Sequence, residues 1–298
     1  MELVIYLNMS ILIYYLIFAI GACWGSFLNC LIYRWEQGQK LNQGRSFCPK
    51  CRHQLGFWDL VPVLSFIFLR RKCRYCQKPI AWQYLAVEIA TGLIFVLIFN
   101  FKFLICQEPL ASLAVIPSEL RNQFLIFNFK NWIELFYYWF VASCLLVIFI
   151  YDLKHYIIPD KAVYSAIIVV FLFRILNLFG NLKLEIRNYD PLLNSLLAAV
   201  VAFGFFFCIW AISRGRYMGF GDVKLAFLMG LFLGWPNVLL AFFTAFLSGA
   251  LVGVGLMILG RKKMRSQVPF GPFLIFGAFL AWFWGGPIIN WYLNLLWR

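Results

Sequence analysis

The chain has 298 residues, 63% of them apolar, 20% aromatic and only 13% charged, a composition that excludes a soluble domain with one large core and defines a polytopic membrane protein. Its formal charge of +14 would suit a nucleic-acid binder. The charges, however, are confined to a few loops between apolar runs, so the excess reads as positive-inside topology, with the lipid bilayer and no nucleic acid as partner.

Eight apolar runs read as membrane helices, at about 10–33, 84–106, 131–151, 162–179, 191–212, 217–234, 237–259 and 271–295, giving an all-α fold with about eight spans. The first, Ile11 to Tyr33, is too long and too aromatic for a cleaved signal and is read as a retained span. The sixth is short unless it includes the glycine motif before it. It parts from the seventh at Trp235-Pro236-Asn237, a tight turn signal. In the seventh, Gly249 and Gly253 lie four apart with Gly255 nearby, the spacing of a face where helix backbones approach closely.

Alternate loops collect most of the Lys and Arg on one side: Arg34 through Lys78 in the first, Lys154 and Lys161 in the second, Arg214, Arg216 and Lys224 around the third, and Arg261, Lys262, Lys263 and Arg265 in the fourth. That side is taken as the cytoplasm, which leaves Arg298 outside. The mixed segment Gln107 to Lys130 and the polar link Asn181 to Asp190 then face outward and carry no recognisable chemistry. The expected organisation is a first span at 1–33, a cytoplasmic cysteine loop at 34–83 and a membrane domain at 84–298.

Within that loop stand two C-x-x-C knuckles, Cys48-Pro49-Lys50-Cys51 and Cys73-Arg74-Tyr75-Cys76. Each offers two thiolates, and together they complete a tetrahedral four-sulfur site, for which zinc is the leading occupant and a redox pair the second reading. The site is structural, since four ligands leave no open position. Metal would supply much of the folding energy of a loop too small to bury a core, although it carries Phe57, Trp58, Pro62 and Phe66. His53 is either a substitute ligand or a surface histidine.

Asp222 sits in Met218-Gly219-Phe220-Gly221-Asp222-Val223-Lys224, at the edge of apolar runs where an ionised side chain costs roughly 2.5–3.5 kcal/mol on insertion scales. Asp152 directly follows the third span, and the alternating topology puts both at cytoplasmic helix ends. Two nearby carboxylates cannot both ionise easily. One holds a proton while the other draws a proton from water, the acid/base arrangement of aspartic proteases. Gly219 and Gly221, without Cβ atoms, would let a substrate backbone approach. Asp152 has a plainer reading as an interfacial residue balancing Lys154, and His155, three residues on, is the alternative base. Asp160, after Pro159, reads as an N-cap, and Lys224 as a snorkelling interfacial residue. Glu88 lies about one turn inside the second span, at the depth of the aspartates, where a buried acid calls for a partner the sequence does not name.

These residues together resemble the bacterial type IV prepilin leader peptidases, members of the GxGD family of intramembrane aspartyl proteases. Gly25-Ser26-Phe27-Leu28-Asn29 with Tyr33-Arg34, the two knuckles, Glu88, Asp152 through Pro159-Asp160, Gly219 through Lys224, and Pro269-Phe270-Gly271-Pro272 match the family's motifs in order and spacing. The resemblance implies that Asp152 and Asp222 are catalytic, with Gly219, Gly221, Lys224, Glu88 and Asp160 supporting. It implies as substrates the precursors of type IV pilins and of the pilin-like subunits of secretion and DNA-uptake systems, cut at the cytoplasmic face of the inner membrane. It also implies N-methylation of the new N-terminus by S-adenosylmethionine, usual in the long form that carries the cysteine loop. The competing reading is an ion-coupled transporter with a structural zinc loop, which would place its acids near mid-span.

Overall fold

The computed structural model describes residues 2–40, 44–103, 129–179, 191–216, 218–260 and 268–296. Nine α-helices and one 3-10 turn account for the regular structure among these residues: α1 (Glu2–Glu36), the turn Phe57–Asp59, α2 (Leu64–Phe68), α3 (Trp82–Phe103), α4 (Phe129–His155), α5 (Asp160–Phe179), α6 (Pro191–Ser213), α7 (Phe220–Leu233), α8 (Asn237–Ile258) and α9 (Gly271–Leu296). Every expected apolar run is a helix. Six of them, α1, α3, α4, α6, α8 and α9, are long and apolar enough to cross a membrane. α7, with 14 residues, spans only about 21 Å at 1.5 Å per residue, and α5, of 20 residues, opens on Asp160 and Lys161 and carries Arg174 within an otherwise apolar run. Arg261, Lys262, Lys263, Arg265, Arg298 and the greater part of the two outer segments lie outside the described residues.

The chain divides into two compact units, Met1–Trp139 and Phe140–Arg298, the border falling inside α4. In the first unit α1 packs along α3, where the buried Asn29 side chain donates to the Tyr84 carbonyl at 3.0 Å. The start of α4 joins α3 through Trp139, whose ring stacks on Phe95 at 4.4 Å while its indole N–H donates to the Phe95 carbonyl. Lys102 and Glu134 form an ion pair between the same two helices.

The two knuckles share one backbone plan, displaced by 25 residues. Cys48 N–H donates to the His53 carbonyl and Arg52 N–H to the Cys48 carbonyl, as Cys73 N–H does to Lys78 and Gln77 N–H to Cys73. Antiparallel bridges close both turns, Phe47 with Gln54 and Lys72 with Pro79, and Arg52 and Gln77 share positive φ, 58° and 56°. A local duplication is therefore present that residue identities hide, since only the cysteines repeat.

The second unit is arranged around α7. The shortest of the long helices is also the most enclosed, packed by α5, α6, α8 and α9, with Asp222, Val223, Leu225, Ala226, Leu228, Met229, Gly230, Leu231 and Phe232 all buried. A helix apolar on every side belongs inside a bundle. It ends at Gly234, whose N–H bonds the Gly230 carbonyl at φ 68°, and α8 begins three residues later, as the Trp-Pro-Asn signal requires.

Among the described residues, no helix backbone approaches the small-residue face expected at Gly249, Gly253 and Gly255. Gly253 and Gly255 have nothing within 4 Å of an added Cβ, and Gly249 makes only ordinary contact with Phe273. α8 and α9 instead approach at Gly277, where a Cβ would lie 2.2 Å from the Ala241 carbonyl oxygen. The spacing rule located small residues without locating the facing helix. Outside the knuckles, Cys144 is packed inside, whereas Cys23 and Cys208 stand on exposed faces.

Gly277→Ala should therefore destabilise the protein by about 1–3 kcal/mol, the usual cost of overpacking. Gly253→Ala should not destabilise it, and alanine's better helix propensity favours a gain of about 0.5–1 kcal/mol. Thermal unfolding of both variants in detergent reads the difference, and equal behaviour would reject the packing assigned to Gly277.

Candidate active site

The end of α4 and the start of α7 bring two acids into one unit. α4 stops at His155 because Tyr156 takes a left-handed conformation, φ 56°, and its N–H bonds back to the Asp152 carbonyl at 2.9 Å. Pro159 then precedes α5, which opens at Asp160. Asp152 therefore lies in the last turn of α4, the negative end of the helix dipole and an unfavourable place for a carboxylate. It is offset by the N-terminus of another helix, where the Gly271 N–H at the start of α9 donates to Asp152 Oδ2 at 3.1 Å.

Asp222 occupies the first turn of α7, where the dipole favours it. Its Oδ2 accepts the Gly219 N–H at 3.2 Å, the reach-back half of a capping box, with a glycine in place of the reciprocating side chain. Both carboxylates are buried, with 4% and 8% of their surface exposed, and the Asp152 charge is close enough to act on Asp222.

Ile158 fills the space between their supports. A Cβ on Gly221 would lie 2.8 Å from Ile158 Cβ, and one on Gly271 would lie 2.6 Å from Asp152 Oδ2 and 3.5 Å from Ile158 Cδ1. The room expected at Gly221 for a substrate backbone is thus taken by the chain's own isoleucine. Gly219 is exposed and keeps its open side.

Two further expectations change. Lys224 does not snorkel, since its Nζ donates to Asp160 Oδ1 at 2.7 Å and lies 5.2 Å from the Tyr164 ring centroid and 5.3 Å from that of Phe220. Asp160 accordingly serves as the partner of Lys224 from the first position of α5, in place of the N-cap its position after proline suggested. The pair ties the first turns of α5 and α7 together. His155 is exposed and lies against the Tyr151 ring at 4.6 Å. Gly271 and Ile158 are the members that residue reading passed over as participants. Their signals were the motif Pro269-Phe270-Gly271-Pro272 and an apolar pair placed directly before a proline.

In the first unit, the Sγ atoms of Cys48, Cys51, Cys73 and Cys76 all lie within 4.8 Å of one another, and those of Cys48 and Cys76 are 4.0 Å apart. A tetrahedron with metal–sulfur bonds near 2.3 Å needs sulfur separations of about 3.8 Å, so the four thiols fit a metal ion. Burial opposes charge on Cys48, but the N–H groups of Cys51 and Lys50 and the neighbouring thiols outweigh it and hold its pKa down to about 7. His53 is exposed and stacks on Tyr75 at 3.7 Å, outside the ligand set. A cavity of about 510 Å³ beside the knuckles is lined by Arg45, Arg52 and the His53–Tyr75 pair, with no carboxylate.

Glu88, buried in α3, is held by the Ser26 side chain of α1 and by a backbone group. Its Oε2 accepts the Val63 N–H at 2.8 Å, at the N-terminus of α2, where Val63 holds φ 62°. The sequence could not name this partner, because a backbone donor 25 residues away leaves no trace in residue type.

These features define a polytopic, all-helical membrane protein with a pair of buried carboxylates at helix ends and a four-cysteine module. Residues 19–101 match the family model for the bacterial peptidase A24 N-terminal domain, and residues 139–254 match that of the type IV leader peptidase family. The chain belongs to this family. It is similar to the prepilin leader peptidase/N-methyltransferases of Aeromonas hydrophila, 26% identical with 94% of this chain and 93% of the relative covered, and of Bacillus subtilis, 29% identical with 94% and 98% covered. That of Legionella pneumophila is 28% identical, with 89% and 83% covered. No solved structure matches the chain.

Glu88→Ala should leave the Val63 N–H unpaired, at about 1–3 kcal/mol. Glu88→Gln retains an acceptor and should lose less. Protease nicking within residues 57–69 of the detergent-solubilised protein checks this, and equal susceptibility of both variants and the parent would show that the bond holds nothing.

Proposed function

We infer that this chain is an intramembrane aspartic endopeptidase that removes the short basic leader of type IV prepilins and pilin-like subunits. The observation that carries the reading is the pair Asp152 and Asp222, buried carboxylates from different helices of one unit, each held through a single oxygen by a backbone N–H. Each keeps its second oxygen for other work. Carboxylates placed this way share a proton and titrate as a pair. The ionised member takes a proton from water as it attacks the scissile carbonyl, and the protonated member donates to that carbonyl oxygen. Collapse of the tetrahedral species returns a proton to the leaving amine.

Gly219 supplies an open approach beside Asp222, and Gly221 admits Ile158 between the two supports. The Lys224–Asp160 pair fixes α5 against α7 and so holds the segment after Asp152. Glu88 acts on the cysteine loop rather than on the chemistry. Both acids lie in terminal turns of helices, and the relatives carry peptidase names, which favours this reading over a transporter.

The names of the relatives also support methylation of the new N-terminal amine, with S-adenosylmethionine as co-substrate. Cys48, Cys51, Cys73 and Cys76 would hold zinc as a structural ion, four ligands leaving no position for a reaction. The excess of Lys and Arg in alternate loops supports an orientation with the leader-cutting end at the cytoplasm, and the apolar helices together with the names of the relatives support the bacterial inner membrane. The cysteine loop at 34–83 and the membrane domain at 84–298 are the working division.

Asp152→Asn and Asp222→Asn should each lower prepilin cleavage in proteoliposomes by at least about 10²–10⁴-fold, the usual scale of acid/base catalysis, with the fold retained. Gly271→Ala should lower it too, because the added carbon displaces Asp152 Oδ2. Full cleavage by either asparagine variant overturns the assignment. Mass measurement of the product's N-terminus with labelled S-adenosylmethionine reads cleavage and methylation separately.

Metal analysis of the purified chain should find about one zinc ion, and Cys76→Ser should lose it. A stable chain without metal would reject the four-thiolate site.

A further inference from the structure

Between the knuckles, residues 57–69 read Phe-Trp-Asp-Leu-Val-Pro-Val-Leu-Ser-Phe-Ile-Phe-Leu, an apolar stretch inside an otherwise polar loop. Folding does not cover it. Phe57 is 76% exposed, Trp58 75%, Ile67 58% and Phe68 80%, while Phe66 alone in α2 is buried. So much contiguous aromatic and aliphatic surface calls for a partner.

The register of this stretch against α3 identifies that partner. From Trp82 to Lys102 the α3 span has 21 residues, about 31 Å of helix against a hydrocarbon core of about 30 Å. Trp82 is the first residue of α3, so Glu88, six residues on, lies about 9 Å further along the helix toward the membrane interior. Val63 is bonded to Glu88 and therefore lies at that depth. Phe66 packs on the Trp82 ring at 5.5 Å, and the Arg71 guanidinium sits 5.3 Å over the same ring. α2 thus rises from the depth of Glu88 toward the boundary, with the cations that follow it at headgroup level.

The polar groups of the backbone fit this placement. An N–H without a partner is costly in hydrocarbon, and the opening of a short helix exposes several. Here Pro62 has no N–H, Val63 donates to Glu88, Leu64 to Pro62 and Ser65 to Val61, and Ile67 and Leu69 bond within α2. Glu88 is the acceptor that lets this end lie below the surface.

We propose that residues 57–69 form a membrane-dipping element, with the exposed side chains of α2 among lipid acyl chains, Phe57 and Trp58 at the interface, and Arg70, Arg71 and Lys72 at anionic headgroups. The element seats the four-cysteine module on the bilayer beside α3. It depends on α3 crossing the membrane and not on the chemistry assigned to Asp152 and Asp222.

The full-length protein, reconstituted in vesicles of phosphatidylethanolamine and phosphatidylglycerol, carries benzoylphenylalanine at position 68 or 58. Leu93, exposed on α3, serves as the lipid-facing reference and Gln54 as the aqueous one. Irradiation should add the mass of one lipid at 68 and 58 as it does at 93, and none at 54. A yield at 68 matching position 54, or a prepilin peptide captured there in place of lipid, overturns the proposal. Radical footprinting of the unsubstituted protein in the same vesicles provides a test without a variant. Peptide 57–69 should be protected relative to Tyr75, and equal oxidation of the two would count against insertion. Cleavage activity is unaffected by either outcome.

Discussion

The arrangement of the second unit depends on placing a charged group at the tip of a helix that is buried all round. α7 is the apolar centre of its bundle, and ionising Asp222 there has a solvation cost that only local polar groups can offset. The first turn of the same helix provides one, the Gly219 N–H, and the start of α9 provides the equivalent for Asp152. Helix N-termini carry unpaired N–H groups in any case. Using them to hold carboxylates satisfies donor and acceptor together without burying a cation beside the pair. The nearest lysine in the motif, Lys224, is drawn aside to Asp160.

The first unit solves a related problem with the opposite polarity. There a helix start, that of α2, needs an acceptor, and a buried acid on α3 supplies it. Both units thus pair a carboxylate with the N-terminus of a short helix, and in both the acid lies where an unpartnered charge would be costly. The two knuckles, with matched hydrogen bonds displaced by 25 residues, frame this element on either side. A metal ion joining them would fix the ends of residues 57–69 while Glu88 fixes the middle.

Much of the site was legible in residue identity. Asp222 stood out because a carboxylate in apolar surroundings is expensive, the four cysteines because thiolates at that spacing can meet on one ion, and the eight runs as helices because an unbroken apolar stretch of that length favours one. Pairwise geometry was misread. Lys224 and Asp160 were each given a solitary role and proved to be one ion pair, Gly221 was opened to substrate and proved to be filled by Ile158, and the glycines of α8 were assigned a close helix backbone that the described residues do not supply. Each error concerns a neighbour far away in the chain.

The sequence alone determined the helices, the class of protein and which side chains are chemically unusual, because these follow from composition and short-range pattern. Only the tertiary structure decided the partners: Gly271 for Asp152, Val63 for Glu88, Asp160 for Lys224 and Ala241 for Gly277. Three of these four contacts involve a backbone N–H or carbonyl. Every residue but proline carries both groups, so residue identity cannot mark which one is used, and the choice rests on how the helices pack.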